Sequence, residues 1–307
     1  MSSKIPTRRF FFEWKGHPLD DMATLHEIIL AHEPTKPIIY LAGDSSLDNK
    51  YWVPSSTGPS STPLPVAPPE IYNLAFNPPT PKPDVAFWLN HTLGQQAWTL
   101  NLSVEESMLR DRDTSLLPHD QFIRDHIRSN DVLIVSVGAN DIALRPTLAT
   151  ARNMLKLAWF TPSALLQRPQ AVGWGLGYFT SLFKERTEAY LAALVAKQKP
   201  RAIIVCMIYY PLEASKVPDG ETSWADWPLR ALGYNWFPAQ LQAAIRAMYA
   251  RATSRIRVEG TEVIPCPLYE VLDGKVGADY VARVEPSSEG GRKMAVKFGE
   301  LLAGKLG

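Results

Sequence analysis

The feature that most constrains this chain is a set of short apolar runs. Ile38–Ala42, Asp131–Val137 and Arg201–Ile208 each hold an almost unbroken series of aliphatic residues. Such runs suit strands buried on both faces, as in a parallel sheet whose two sides are covered by helices. Trp98–Val104 and Thr261–Pro265 read as two further strands. Helical segments are predicted between and around them. Asp20–His32 has Asp20 or Asp21 as its cap and an apolar face of Met22, Leu25, Ile28 and Ile29. Asp84–Leu93 is capped by Asp84, and Pro118–Arg128 carries proline in its first turn. Pro238–Ile256 and Ser287–Leu306 complete the set, and a short helix containing Leu47 and Tyr51 is predicted after Ser45. Five strands alternating with helices imply an α/β architecture with a parallel sheet.

At 307 residues the chain is long enough for one α/β domain with insertions, and no linker or repeat divides it. Thirty-two Lys plus Arg against 31 Asp plus Glu leave a net charge of +1, which points to neither nucleic acid nor an anionic membrane surface. Phe10-Phe11-Phe12 after Arg8-Arg9 is too short for a signal-peptide core, and no run reaches the length of a membrane span. The two cysteines, Cys206 and Cys266, exclude a disulfide scaffold and read as buried free thiols. The expectation is a soluble cytoplasmic protein with a small-molecule substrate.

Three stretches break the alternation. Val53–Pro83 holds ten prolines among Ser, Thr and Gly, and is read as an irregular surface insertion. Residues 142–183 and 209–237 are long connections rich in aromatic residues, and are expected to form a cap over the strand ends. Trp224, Trp227 or Trp236, with Trp159 or Trp174, are the candidates for an aromatic wall of a substrate pocket.

Two of the apolar runs end in chemistry-bearing residues. The first gives way to Gly43-Asp44-Ser45-Ser46-Leu47 and the second, Asp131–Val137, to Gly138-Ala139-Asn140-Asp141. A glycine there permits a tight turn, and the C-terminal edge of a parallel sheet is where open α/β folds place their ligands. The two blocks, in this order, resemble those of the SGNH (GDSL-type) hydrolase superfamily. The resemblance implies a three-layer α/β/α sandwich, flavodoxin-like, with a five-stranded parallel sheet in the order 2-1-3-4-5. It also implies ester hydrolysis or acyl transfer without a cofactor, with Ser45 as nucleophile and Asn140 as oxyanion donor. Asp44 and Asp141 fall beside them as supporting positions.

The remaining blocks depart from that family. Asn101–Ser107 resembles the block whose glycine N–H faces the oxyanion, but Glu105 or Glu106 stands at the glycine position. A carboxylate there must point away or be protonated, since it would oppose the negative charge of a tetrahedral intermediate. In Ala282–Gly291 the register puts Glu285 at the position of the family's histidine and Ala282 at that of its aspartate. The last histidine of the chain is His126. Three readings of Glu285 stand: the base for Ser45, an acid or base in another proton transfer with Ser45 only binding, or an ordinary residue at the start of the closing helix. The functional alternatives follow from these. One is an esterase acting on a small apolar or aromatic substrate. The others are a lyase, isomerase or cyclase on the same fold, or a degenerate ligand-binding protein. His91, His119 and His126 are expected at the other ends of their elements. Gly173-x-Gly-x-Gly177 follows no strand, which argues against a dinucleotide site, and no spacing suggests a metal. Ser45, Asn140 and Glu285 are therefore expected to meet in one pocket.

Overall fold

A computed structural model of the chain describes residues 4–56, 61–144, 146–160 and 176–306. Five parallel strands form its sheet: β1 (Ile38–Gly43), β2 (Trp98–Asn101), β3 (Val132–Ser136), β4 (Ala202–Met207) and β5 (Glu262–Pro267). Their spatial order is β2-β1-β3-β4-β5, the predicted one. Every residue of β1, β3 and β4 is buried. Side chains of a strand alternate between faces, so both faces of these strands are covered. Only the edge strand β5 begins exposed, at Glu262.

The covering helices follow the sequence pattern with shorter ends. Val85–Leu93 starts at Asp84, whose carboxylate accepts the Phe87 N–H at 2.8 Å. It packs against the closing helix Ser288–Leu301, which Ser287 caps. Pro118–His126 packs against Thr187–Leu194. The helix Leu19–His32 departs from expectation at its start: Pro18 holds the cap position, and Asp21 is buried in an ion pair with Arg9 instead.

Two local expectations are corrected. No α-helix follows Ser45. The chain turns through Leu47 N–H and Asp48 N–H bonds to the Asp44 carbonyl and forms only a 3₁₀ turn at Asn49–Tyr51. Asp48 is drawn into a buried ion pair with Lys50 (2.6 Å) and accepts the Gly16 and Glu105 N–H groups. Those non-local bonds replace the ladder that a helix would have needed. The proline-rich insertion is also not wholly irregular. Its proline-free stretch holds a helix, Glu70–Ala75, that buries Ile71, Tyr72 and Ala75. Phe76–Asn77 then pairs in parallel with Ile5–Pro6.

Candidate active site

Ser45 lies just past the end of β1, beside β3. The two strands approach so closely that a side chain at Gly43 (φ 152°) would put its Cβ 2.0 Å from the Ser136 carbonyl oxygen. The turn beyond is built by polar side chains. The Asp44 carboxylate accepts the Ser46 N–H (3.1 Å) and hydroxyl (2.7 Å), which leaves the Ser46 oxygen to accept from the Ser136 hydroxyl on β3, 2.7 Å away. Burial raises the Asp44 carboxyl to about 6, against the opposing effect of the Ser46 bonds.

Asn140 follows β3 through Gly138, whose left-handed φ of 98° opens the short helix Ala139–Ala143. Its side-chain N–H donates to the Ser107 carbonyl at 3.1 Å, which fixes the amide plane and leaves a second N–H on the same nitrogen. The neighbouring Asp141 faces elsewhere: it accepts the Leu109 and Arg110 N–H groups (2.6 and 3.2 Å) and so ties the segment after β2 to that after β3.

Glu285 arrives from the other side. It is buried, paired with Val281 across a tight hairpin just ahead of the closing helix. The Ser45 side chain faces the Glu285 carboxyl and favours its ionised form, while one carboxyl oxygen, Oε2, is buried without a partner. Desolvation is the main reason that this carboxyl is raised to about 8, and the charge of Asp44 adds to the shift. Glu105, also buried, is raised to about 9, by desolvation first and then by Glu285 and Asp48. One Glu105 oxygen accepts the Trp52 indole N–H at 3.1 Å, while the other has no partner. Glu106 has a left-handed φ of 60° and directs its side chain away, to Lys15 at 2.9 Å. Of the two carboxyls at the glycine-like position, one is neutral at pH 7 and the other turns outward.

Ser45, Asn140 and Glu285 line the same cavity, which encloses about 1130 Å³ including its open mouth. Its polar end also carries Asp44, Ser46 and Ser136, and the rest of its wall is almost entirely apolar. Leu241, Ala244, Ile245 and Met248 project into it from the helix Pro238–Arg251, at a spacing that puts them on one face. Trp224, Pro228, Leu229 and Leu232 line it from the 209–237 connection, and Phe179 from the 176–181 helix. No histidine lines it among the described residues.

The predicted aromatic wall is only partly there. Trp224 lines the cavity, whereas Trp227 (77% exposed) and Trp236 (55% exposed) face solvent. The helix Asp226–Ala231 turns Leu229 inward, and Trp227 and Arg230, three residues apart, share the other face. Trp236 then packs under the Arg230 guanidinium. The Trp159 side chain and Trp174 lie outside the described residues. His119 is hydrogen-bonded to the His17 carbonyl, and His126 to that of Phe122; neither reaches the cavity.

Sequence reasoning missed the burial of Glu105 beside Glu285, which no local pattern distinguishes from that of Glu106. It also missed the hairpin that carries Glu285. Ala282 and Arg283 both have left-handed φ angles (49° and 68°) without being glycine, so composition gives no turn signal there.

No protein-family model matches the sequence, and no curated protein matches it. Among solved structures, phospholipase A1 from Streptomyces albidoflavus is 12% identical over 88% of this chain and 100% of its own, with a TM-score of 0.42. A protein from Parabacteroides merdae described as a GDSL-like lipase is 12% identical over 87% and 96% (TM-score 0.40). A family 3 carbohydrate esterase from Clostridium thermocellum is 13% identical over 88% and 96% (TM-score 0.39).

Proposed function

We propose that the chain is a serine hydrolase acting on esters of small apolar or aromatic substrates, with Ser45 as nucleophile and Glu285 as its general base. One observation carries this reading. Ser45 faces a buried carboxyl whose proton affinity is raised to about 8, and both line the polar end of an otherwise apolar cavity. A serine hydroxyl needs a base to become nucleophilic, and a carboxyl raised toward neutrality can both take and return a proton.

In the reaction, ionised Glu285 takes the hydroxyl proton while Ser45 Oγ bonds to the acyl carbon. The carbonyl oxygen becomes an oxyanion facing the free Asn140 N–H, a donor already oriented by its bond to Ser107. Collapse expels the alkoxide, which takes the proton back from Glu285 and leaves as the alcohol. Water, deprotonated by the same carboxylate, then attacks the acyl-serine, releases the acid and restores the hydroxyl. Because the base works ionised, kcat/KM rises with pH until about pH 8 and levels above it.

The test is labelling with an alkyl fluorophosphonate, followed by turnover of an aryl ester. Wild type labels at Ser45, and Ser45→Ala does not. Glu285→Gln keeps the shape of the site and removes the proton acceptor, so turnover falls by about two to four orders of magnitude. A second reading, in which Glu285 moves a proton of a bound substrate and Ser45 only binds it, draws support from the absence of a histidine in the described lining. It gains if neither labelling nor ester turnover occurs. A ligand-binding protein would lack both as well, and would turn over no lyase or isomerase substrate.

A further inference from the structure

The hairpin that presents Glu285 is an unusual support for a reactive carboxyl. Its turn places two successive non-glycine residues, Ala282 and Arg283, in the left-handed region. L-residues adopt that conformation only when their surroundings enforce it. Here the surroundings are one segment, the 209–237 connection. The Ala282 carbonyl accepts the Ser223 hydroxyl, the Arg283 carbonyl accepts the Leu212 N–H (2.8 Å), and the Val284 carbonyl accepts the Tyr209 hydroxyl (2.6 Å). All three carbonyls of the turn are therefore held from outside the hairpin.

The Arg283 side chain completes the clamp. It is 4% exposed, and its guanidinium donates to the Leu212 carbonyl (3.2 and 3.1 Å), to Asp226 (2.8 Å) and to Asn235 (3.0 Å). A planar fork that reaches three residues of one connection fixes its own backbone far better than a flexible ammonium would. Glu285 follows two residues later, and its carboxyl faces Ser45 in the cavity.

We propose that Arg283 is a positioning residue: through the left-handed turn it anchors, it sets the Glu285 carboxyl against Ser45. The 209–237 connection is then part of the catalytic framework as well as a wall of the cavity. This rests on the reading of Glu285 as the base. The groups facing its carboxyl are Ser45 and Asp44 after β1, Glu105 after β2 and Tyr209 after β4. None of them is altered by replacing Arg283.

The experiment compares wild type, Arg283→Met, Arg283→Lys and Arg283→Met combined with Ala282→Gly. Arg283→Met lowers kcat for an aryl ester at least tenfold with KM little changed, and the acid limb near pH 8 moves down as Glu285 gains contact with water. Arg283→Lys recovers little, because an ammonium cannot span the three acceptors. Adding Ala282→Gly restores part of kcat, because glycine adopts the turn without the clamp. A purely structural Arg283 would lower the melting temperature and leave kcat and the acid limb of the folded enzyme in place; that result overturns the proposal. If Arg283→Met does not fold, Ser223→Ala, which removes one hydroxyl from the clamp, shows the same changes in smaller measure, and its full activity overturns the proposal equally. If wild type turns over no ester, the hydrolase reading has failed on its own. The protonation of Glu285 is then followed by difference infrared spectroscopy, with Glu285→Gln to assign the band. An unchanged titration in Arg283→Met, or in Ser223→Ala where that variant must serve, counts against the proposal.

Discussion

Ser45 and Asn140 are held by the sheet, whereas Glu285 is held by loops. The first two stand two and four residues beyond β1 and β3, neighbouring strands whose register is set by a full ladder between Ile39–Gly43 and Val132–Ser136. Glu285 belongs to a two-residue strand pair, and its place depends on hydrogen bonds from a connection with little regular structure. The difference teaches where each half of the site can fail. A sheet-held group loses its chemistry only when its own side chain is changed. A loop-held group can be misplaced by changes several residues away. A carboxyl is also a demanding group to hold this way, because burial raises its proton affinity only while the loops keep water out.

Beyond loss of the nucleophile itself, the largest effect expected on the sheet-held half is from Asn140→Ala. If its free N–H faces the developing oxyanion, kcat falls by about 10²- to 10³-fold. KM should stay close to wild type, since a ground-state carbonyl gains less from that donor. Measured alongside Arg283→Met, it sharpens the comparison: the Asn140 variant keeps the acid limb near pH 8, and the Arg283 variant does not. An Asn140→Ala enzyme with wild-type kcat would instead make Asn140 a tie to the Ser107 carbonyl and nothing more.

The same contrast explains how much of the molecule was legible in the sequence. The sheet was readable because strands covered on both faces must be apolar throughout, as Ile38–Ala42 and Val132–Val135 are. Their order followed from the resemblance and not from the runs themselves. Ser45 and Asn140 were readable because each directly follows such a run. The segment after Ser45 was misread as a helix because Asp48 and Lys50 look like surface residues, yet they pair in the interior. That pairing involves Gly16 and Glu105, which are distant in sequence, so no local pattern reports it. Trp227 and Trp236 were misjudged for a related reason. Aromatic content marked the cap, but the turn of a six-residue helix faces Trp227 outward, and Trp236 packs against Arg230 on that same outer side.

Between the two halves lies Glu105, buried in the interior and coupled to Glu285. Its folded-state proton affinity, about 9, exceeds that of an unfolded glutamate. The native state thus keeps a proton that the unfolded chain loses above about pH 4. Stability contributed by this group is full below that pH and falls as pH rises toward 9. Glu105→Gln retains an oxygen for the Trp52 indole and removes the titration. The variant should match wild type near pH 4 and exceed it by a few kcal/mol around pH 8, on the order set by the shift. Thermal or urea unfolding at the two pH values checks this. A variant less stable than wild type at pH 8 would mean that the carboxylate is ionised and paired in the native protein.

The smallest effect separates the inner and outer faces of the cap. Trp224 borders the cavity, so Trp224→Ala removes apolar contact from a bound substrate without touching the reacting groups. Losing contact worth about 1 kcal/mol raises KM roughly fivefold and leaves kcat near wild type, the signature of binding that is equal in ground and transition states. Trp227→Ala and Trp236→Ala, on the solvent side, should change neither constant by as much as twofold. The three variants measured on one apolar aryl ester, with melting temperatures recorded, decide the matter. If Trp224→Ala lowers kcat and KM rises little, the ring acts on the geometry of the Glu285 hairpin through its neighbour Ser223, whose hydroxyl holds the Ala282 carbonyl. The cap would then be read less as a wall and more as a brace, and the division between sheet-held and loop-held groups would extend to the substrate pocket itself.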